Sequence, residues 1–164
     1  MEIERKFIIK KIPDNLSEYA FHLIEQAYLN TDPVVRIRKE DDQYYLTYKG
    51  KGLMSREEYN LPLNEQSSYH MREKADGNVI SKKRYLIPIT NPTFTSDYKE
   101  FIDQISLTIE LDIFDAPFEN LIIAEVEFPN LEMAKAFLPP DWFLEDVTND
   151  PAYHNSNLSR QVIS

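Results

Sequence analysis

The sequence contains no cysteine, only three glycines among 164 residues, and no long apolar run. Without cysteine there are no disulfide bonds, thiolate zinc sites or cysteine nucleophiles. A membrane-spanning helix needs about 18 or more consecutive apolar residues, and no stretch approaches that length. Residues 1–6 also lack the apolar core of a signal peptide. These absences are consistent with a cytoplasmic protein that has no membrane partner.

Positive charge is scarce as well. The sequence has 18 Lys and Arg residues and 28 Asp and Glu residues, which gives a net charge of -10. Such an acidic surface repels nucleic acids and anionic membranes, so we expect no nucleic-acid partner. A small anionic substrate stays compatible, because a local basic cluster can outweigh distant acidic charge. The three histidines, His22, His70 and His154, lack the paired spacing of a histidine metal site and are interpreted as surface or packing residues.

The length predicts one domain over residues 1–164, and the 42% hydrophobic content is typical of globular proteins. Strand patterns occupy residues 2–9, 22–29, 34–40, 43–49, 56–63, 79–87, 107–114 and 121–128. Helical patterns occupy residues 98–105, 130–138 and about 64–74, and Pro139 and Pro140 end the second of these. Residues 14–25 are ambiguous, because their start favours a helix and their end favours a strand. The pattern predicts a strand-dominated α+β chain.

Within the predicted strands, charged and apolar side chains alternate, so that they project from opposite faces. The charged face carries seven carboxylates, which are Glu2, Glu4, Glu58, Glu110, Asp112, Glu125 and Glu127. It also carries seven cations, which are Lys6, Arg36, Arg38, Lys49, Arg56, Lys82 and Arg84. The charges separate by strand, because the third, fourth and sixth strands present only cations and the last two only acids.

Two interpretations of this charged face remain open. The polar face of an antiparallel sheet often simply contacts water. Alternatively, the sheet closes into a barrel with the charged face inward. Dry burial of so many charges would be prohibitive, so such a lumen must hold water and ligand. Grouped carboxylates favour a divalent metal and grouped Arg and Lys favour phosphate, so this interpretation predicts a site for metal and polyphosphate.

The same segments resemble the motifs of the CYTH superfamily, also called triphosphate tunnel metalloenzymes. Residues 2–6 (EIERK) resemble its ExExK motif, residues 36–38 (RIR) its RxR motif, and residues 46–50 (LTYKG) its LTxKG motif. Residues 80–85 (ISKKRY) resemble IxKxRY, residues 110–114 (ELDIF) ExDxF, and residues 124–127 (AEVE) AExE. Residues 56–58 and the tail from Asp146 to Ser156 also resemble family segments, so the resemblance spans essentially the whole chain. Asn60 departs from the pattern, because the family often has a second glutamate there.

The resemblance implies an eight-stranded antiparallel closed β-barrel, or tunnel, with flanking helices, which binds a triphosphate and Mg²⁺ or Mn²⁺. Family activities include inorganic, thiamine and RNA triphosphatases and adenylate cyclase. We therefore predict a metal-dependent triphosphatase that hydrolyses the terminal phosphate of inorganic tripolyphosphate, with ATP and thiamine triphosphate as further candidates. The alternatives are an adenylate cyclase and a non-catalytic polyphosphate or nucleotide sensor. The sequence does not predict an oligomeric state.

Roles for individual residues follow from the charges and the resemblance together. The predicted metal ligands are Glu2, Glu4, Glu110, Asp112, Glu125 and Glu127. The predicted substrate-binding residues are Lys6, Arg36, Arg38, Lys49, Arg56, Lys82 and Arg84. Catalysis is assigned to Glu2, Glu4, Lys6 and Glu58, with Glu58 as a candidate to orient the attacking water. Tyr28 either positions water or phosphate or packs in the core, and the tail from Asp146 either closes one tunnel mouth or lies on the surface.

Overall fold

Strands dominate the computed structural model, which describes residues 1–98 and 105–163. The strands are β1 (Glu2–Ile9), β2 (Phe21–Thr31), β3 (Val34–Glu40), β4 (Gln43–Lys49), β5 (Ser55–Arg56), β6 (Glu58–Leu63), β7 (Asp76–Ile89), β8 (Thr93–Phe94), β9 (Leu107–Phe114), β10 (Ile122–Glu127), β11 (Phe137–Leu138) and β12 (Phe143–Asp146). The helices are α1 (Glu65–Arg72), α2 (Leu131–Ala136) and α3 (Asn155–Ser159), with 3-10 turns at Leu16–Glu18 and Pro151–Tyr153. None of these helices is long and apolar enough to cross a bilayer.

The main sheet is antiparallel and curls into a barrel. Its strands follow the order β1, β10, β9, β7, β2, β3, β4, β6. The ring returns to its start through β5, which directly precedes β6 and pairs with β1 at Glu2↔Arg56 and Ile3↔Ser55. Beyond that point β12 covers the same edge of β1. The predicted eight-stranded antiparallel barrel is confirmed, and its wall is nearly closed, with β5 and β6 together forming the eighth strand.

The largest differences between predicted and observed elements are at three places. The predicted strand at 56–63 is interrupted at Glu57, because β5 pairs with β1 while β6 pairs with β4. The predicted strand at 79–87 extends to Asp76 and Ile89. The helix predicted at 130–138 was too long: it ends at Ala136, because Phe137 and Leu138 pair with β8.

The helix starts agree with the expected capping chemistry. The side chain of Asn64 accepts a hydrogen bond from the Ser67 amide, and that of Asn130 accepts one from the Met133 amide. The ambiguous region at 14–25 resolves into a short 3-10 turn followed by β2, which starts at Phe21. The helix predicted at 98–105 lies almost entirely outside the described residues.

The larger apolar cluster lies on the outer face of the barrel wall, whereas a smaller buried cluster, with Tyr28, Ile80, Phe114 and Ile123, lies on the same strand face as the charged residues. The larger buried cluster includes residues of β1, β9 and β10 and of the segments from α2 to β12. Phe137 contacts the rings of Phe7, Phe94 and Phe128 there. The helix α3 packs against β7 and β2, and its Leu158 belongs to the smaller cluster. Gly77 permits this contact, because its φ is +76° and an added Cβ would lie 2.1 Å from the Ser159 carbonyl oxygen.

Candidate functional site

The inward face of the barrel encloses a cavity of about 220 Å³. Twelve of the predicted charged residues line it: Glu2, Glu4, Lys6, Arg36, Arg38, Lys49, Arg56, Glu58, Arg84, Glu110, Glu125 and Glu127. Tyr28, Val34, Glu40, Asn155 and Ser156 complete the lining. The barrel therefore brings both signs of charge together in one wet space.

Lys82 and Asp112 are the two predicted site residues that do not line the cavity. Both are buried, 1% and 0% exposed, and Lys82 Nζ lies 2.7 Å from Asp112 Oδ2. Arg84 donates to both oxygens of Asp112, from Nε at 2.7 Å and Nη2 at 2.9 Å. The two residues share a strand face with cavity-lining residues but lie below the cavity surface, because strand alternation assigns a face but not a depth. Their roles in substrate and metal binding stay predictions.

Burial and neighbouring charges shift the pKa values of Lys82 and Asp112. Burial lowers the pKa of Lys82 to about 8, although the charge of Asp112 opposes this shift. Burial would raise the pKa of Asp112, but the charges of Arg84 and Lys82 outweigh it and hold that pKa below its usual range. Arg84 in turn reaches the cavity, where it binds Glu110 at 2.6 Å and Glu125 at 3.1 Å. The buried pair thus fixes the position of a cavity-lining guanidinium.

A second cluster lies where β1, β4 and β6 approach one another. Lys49 Nζ lies 2.8 Å from Glu2 Oε1 and 3.2 Å from Glu58 Oε2. Burial, the charge of Glu4 and a hydrogen bond to Glu58 together raise the pKa of Glu2 to about 8. Burial would also raise the pKa of Glu58, but the bond from Glu2 and the charge of Lys49 outweigh it and lower that pKa. The two carboxyl groups therefore share one proton between them.

Asn60 supports this carboxyl pair from the cavity wall. Its Nδ2 donates to Glu58 Oε1 at 2.8 Å, and its Oδ1 accepts from the Thr47 hydroxyl at 2.6 Å. The position where the family often has a glutamate thus orients Glu58 here without adding a charge.

Lys6 lies among carboxylates on the neighbouring part of β1. Its Nζ is 3.2 Å from Glu125 Oε1 and 3.8 Å from Glu4 Oε1. Burial would lower the pKa of Lys6, but these carboxylates outweigh it and raise that pKa. Its backbone is held by the C-terminal segment, since its amide donates to Thr148 Oγ1 at 3.0 Å and its carbonyl accepts from the Val147 amide at 2.8 Å. Lys6 is therefore a fully charged, well-anchored cation.

The carboxylates of β1, β9 and β10 form a continuous acidic row. Glu4 lies opposite Glu127 in the strand register, and Glu125 lies opposite Glu110. Burial raises the pKa values of Glu110 and Glu127, and neighbouring carboxylates reinforce the shift. Within residues 1–98 and 105–163, no three His, Asp or Glu side chains are already arranged as a metal site. The donor chemistry nevertheless fits a hard divalent cation, because oxygen ligands crowded in a wet cavity lose mutual repulsion when one binds.

Cations dominate the opposite side of the cavity, on β3. The Nε and Nη2 atoms of Arg38 donate to Gln26 Oε1 at 2.9 and 2.5 Å. Burial and the charges of Arg36 and Arg84 lower the pKa of Arg38 to about 10. Arg36 is 5% exposed, and its Nε finds no acceptor in the described part of the chain. This side therefore presents positive charge to an anion.

Several residues of the site escaped sequence reasoning. Glu40 shares the strand parity of Arg36 and Arg38, so the alternation contained enough information to find it. Gln26 shares the strand parity of Tyr28, but its hydrogen bonds to Arg38 were not foreseen. Asn155 and Ser156 reach the cavity from α3, which the alternation of strands cannot reveal. Tyr28 borders the cavity and also belongs to a buried apolar cluster.

Comparison with known proteins agrees with this architecture. The model of the CYTH domain matches residues 1–134. The chain belongs to the CYTH family. The resemblance inferred from the motifs is thereby confirmed.

Two CYTH-family relatives align with nearly the whole chain. An inorganic triphosphatase from Nitrosomonas europaea is 31% identical over 164 residues, which covers 98% of each chain. An inorganic triphosphatase from Acetivibrio thermocellus is 32% identical over 161 residues, which covers 96% of this chain and 92% of the relative.

Solved structures agree with the CYTH barrel. The crystal structure of an inorganic triphosphatase superposes with a TM-score of 0.67 at 29% identity, covering 100% of this chain and 97% of the other. A conserved hypothetical protein from Pyrococcus furiosus superposes with a TM-score of 0.55 at 17% identity, covering 83% of each chain. The second likeness concerns the fold alone.

Proposed function

We propose that this CYTH-family chain is a metal-dependent triphosphatase that hydrolyses the terminal phosphate of inorganic tripolyphosphate. The observation that supports it is the single wet cavity in which an acidic row on β1, β9 and β10 faces the arginines of β3. Metal-bound polyphosphate is a ligand that satisfies both sides at once. The names of both relatives, each an inorganic triphosphatase, agree with this activity.

A divalent ion, Mg²⁺ or Mn²⁺, is assigned to the acidic row. Its proposed ligands come from Glu2, Glu4, Glu110, Glu125 and Glu127. Asp112 is left out of this set, because Lys82 and Arg84 already occupy its oxygens. When bound, the ion supplies positive charge that offsets the charge of the phosphate oxygens. Glu2 must release its shared proton to act as a ligand.

The cations hold the substrate and stabilise the charge that develops on it. The proposed phosphate contacts are Lys6, Arg36, Arg38, Lys49, Arg56 and Arg84. Phosphoryl transfer needs little covalent chemistry from the protein, so positioning and electrostatic stabilisation supply most of the catalysis. Lys82 is proposed as a positioning residue, which acts through Asp112 on Arg84. Glu58, whose lowered pKa keeps it ionised at neutral pH, is proposed to orient the attacking water.

The composition of the cavity favours tripolyphosphate over a nucleotide. Of the described residues that line it, Tyr28 is the one aromatic residue, and it is 2% exposed. A nucleoside triphosphate would need a surface for its base and ribose, and aromatic side chains commonly provide one. The lining is otherwise almost entirely charged, which suits a substrate that consists of phosphate alone.

Phosphate release from tripolyphosphate with Mg²⁺ or Mn²⁺ tests the proposal directly. We expect Glu4→Ala and Arg38→Ala to abolish release while the melting temperature shows a folded protein. Glu57→Ala and Arg72→Ala are matched controls, because these side chains lie outside the cavity, and they should retain turnover. Unchanged turnover in Glu4→Ala or Arg38→Ala would contradict the proposal. Binding with no turnover in the unmodified protein would favour a sensor, and cyclic AMP formed from ATP would favour a cyclase.

We also propose that residues 1–164 form one domain. The segment beyond the matched residues 1–134 supports this, since β12 pairs with β1 and α3 contributes to the cavity lining. A cytoplasmic location and the absence of nucleic-acid and membrane partners stay predictions from composition.

A further inference from the structure

Gln26, on β2, is buried directly opposite Arg38 of β3. The two residues are partners in the antiparallel register, so both side chains project from the same face of the sheet. Arg38 lines the cavity and its side chain is 15% exposed, whereas Gln26 is 1% exposed. Gln26 Oε1 accepts from Arg38 Nε at 2.9 Å and from Arg38 Nη2 at 2.5 Å. Gln26 therefore supports a cavity-lining guanidinium from below the cavity surface.

The hydrogen bonds determine which end of the Gln26 amide faces Arg38. A guanidinium has five N–H donors and no acceptor, so only the amide oxygen can bind it. Gln26 occupies two of these donors, and the others stay available to an anion. Glu40 Oε1 lies 3.9 Å from Arg38 Nη1, which is beyond hydrogen-bond range. Among the described residues, Arg38 is thus oriented by an amide and by no hydrogen-bonded carboxylate.

Arg84 is held in a contrasting way. Its positive charge is offset by three carboxylates, those of Asp112 at 2.7 Å, Glu110 at 2.6 Å and Glu125 at 3.1 Å. Arg38 instead lies near Arg36 and Arg84, and burial together with these two positive charges lowers its pKa. A neutral acceptor leaves the charge of Arg38 intact, and it is this charge that strengthens a hydrogen bond to phosphate.

The other end of the Gln26 amide indicates a role beyond packing. Its Nε2 is buried and has no acceptor in the part of the chain that the structure describes. A buried donor without a partner destabilises a fold. Glutamate has the same shape, would accept the same two bonds and has no such donor, but its negative charge would offset that of Arg38. The amide therefore fits a position where Arg38 must be held and must stay charged.

We propose that Gln26 is a positioning residue for the substrate, which fixes the Arg38 guanidinium at the cavity while leaving its positive charge to bind phosphate. This inference rests on the proposed triphosphatase function, in which Arg38 contacts the substrate. Gln26 must then supply an acceptor oxygen and carry no negative charge. Substitutions separate these two properties, because glutamate keeps only the acceptor and methionine keeps only the neutrality.

Steady-state kinetics of tripolyphosphate hydrolysis with Mg²⁺ distinguish this role from a purely structural one. Gln26→Glu is expected to raise KM at least about tenfold, because it offsets the charge that binds phosphate. Gln26→Met is expected to raise KM only about threefold, because Arg38 keeps its charge and loses only its orientation. A purely structural acceptor predicts the reverse order, since glutamate preserves the two hydrogen bonds and methionine removes them.

A double-mutant cycle tests whether Gln26 acts through Arg38. Arg38→Lys keeps the positive charge but lacks the planar guanidinium that Gln26 binds. In this background Gln26→Met should change KM by less than about twofold, because the contact that it removes is already lost. Gln66→Glu is the matched control for the added charge. Gln66 is exposed on α1, so KM should be unchanged.

Melting temperatures verify that the variants fold, and the cycle with Gln26→Met decides the question if Gln26→Glu does not fold. Three results overturn the inference: a KM that rises more in Gln26→Met than in Gln26→Glu, an unchanged KM in Gln26→Glu, or an equal effect of Gln26→Met in both backgrounds. No phosphate release by the unmodified protein would instead refute the triphosphatase function. The same order of variants would then be measured as dissociation constants for tripolyphosphate, so the two failures are distinct.

Discussion

Two charged clusters of the same barrel wall use similar residues in opposite ways. At the cavity, Lys49 is shared by Glu2 and Glu58, and these two carboxyl groups hold one proton between them. Deeper in the barrel, both oxygens of Asp112 are occupied by Arg84 and Lys82, and Asp112 and Lys82 are 0% and 1% exposed. The first cluster lines the cavity and holds a proton that it can release, whereas in the second cluster each Asp112 oxygen already contacts a cation. The first cluster can change its charge when a ligand binds, and the second holds Arg84 in position.

The largest expected loss of stability follows from replacing Asp112. Asp112→Asn leaves Lys82 and Arg84 buried without their common counter-charge, which should destabilise the fold by about 3–5 kcal/mol. Urea unfolding at neutral pH measures this loss. Asp42→Asn, in the exposed turn between β3 and β4, is the control and should change stability by less than about 0.5 kcal/mol. A loss below about 1 kcal/mol for Asp112→Asn would show that Lys82 and Arg84 do not depend on Asp112 as their counter-charge.

The next effect concerns His154, a buried group that supports the cavity from the C-terminal segment. Burial, helped by the charge of Lys6, lowers its pKa to about 4 from the ordinary value of 6.5. The unfolded chain therefore binds more protons between these values, so His154 makes stability fall as pH falls from about 6.5 to 4. The contribution is up to about 3 kcal/mol.

His154→Gln should remove that pH dependence. The free energy of unfolding is measured between pH 4 and 7 for the unmodified protein and for His154→Gln. Because the carboxyl groups that titrate in this range are the same in both, the difference between the two curves reports on His154. Parallel curves for the two proteins would mean that His154 titrates normally in the folded state.

A smaller effect is expected for the proton shared at the cavity. Glu58→Gln removes a neighbouring charge and the carboxylate that accepts the bond from Glu2, so the pKa of Glu2 should move from about 8 towards its ordinary value of 4.5. Carbon NMR of the carboxyl groups in chelator-treated protein follows this titration. Glu57→Gln, whose side chain lies outside the cavity, should leave Glu2 unchanged. A Glu2 titration that is the same in all three proteins would contradict the shared proton.

The smallest expected stability change belongs to Glu4. Its contact with Lys6 is long, 3.8 Å, and Lys6 keeps the closer Glu125 at 3.2 Å. Removing the Glu4 charge also relieves its repulsion of Glu2 and Glu127, so Glu4→Gln should alter the unfolding free energy in urea by less than about 1 kcal/mol, although the proposed metal site loses a ligand. A loss of stability comparable with that of Asp112→Asn would show that the cavity carboxylates stabilise the fold as much as Asp112 does.

The sequence was sufficient to predict the barrel and most of its lining, because a strand alternates its side chains strictly. Glu2, Glu4 and Lys6 could be placed on one face from their spacing alone, and the structure puts all three at the cavity. Lys82 and Asp112 share the parity of their cavity-lining neighbours yet lie deeper in the wall. Depth depends on the stagger between neighbouring strands, which no single strand encodes.

Contacts between segments that are distant in the sequence were also not predicted. Phe137 and Leu138 continue a helical pattern locally, but pairing with β8 overrides it. Asn155 faces the cavity only because α3 packs on β7. In both cases the local structure depends on a tertiary contact, and the periodicity of the local sequence does not predict that contact.

The pairing of β1 has a consequence for the order in which the chain folds. β1 is synthesised before the other strands, yet β10 and β12, which pair with it, include residues 122–127 and 143–146. Arg5 extends the dependence, since it donates to the Ala134 and Phe137 carbonyls and pairs with Asp146. Such distant pairing slows folding, because the loop must close before its contacts form. Apart from the short pairing of Glu2 and Ile3 with β5, the backbone of β1 therefore has no partner strand until β10 and β12 have been synthesised.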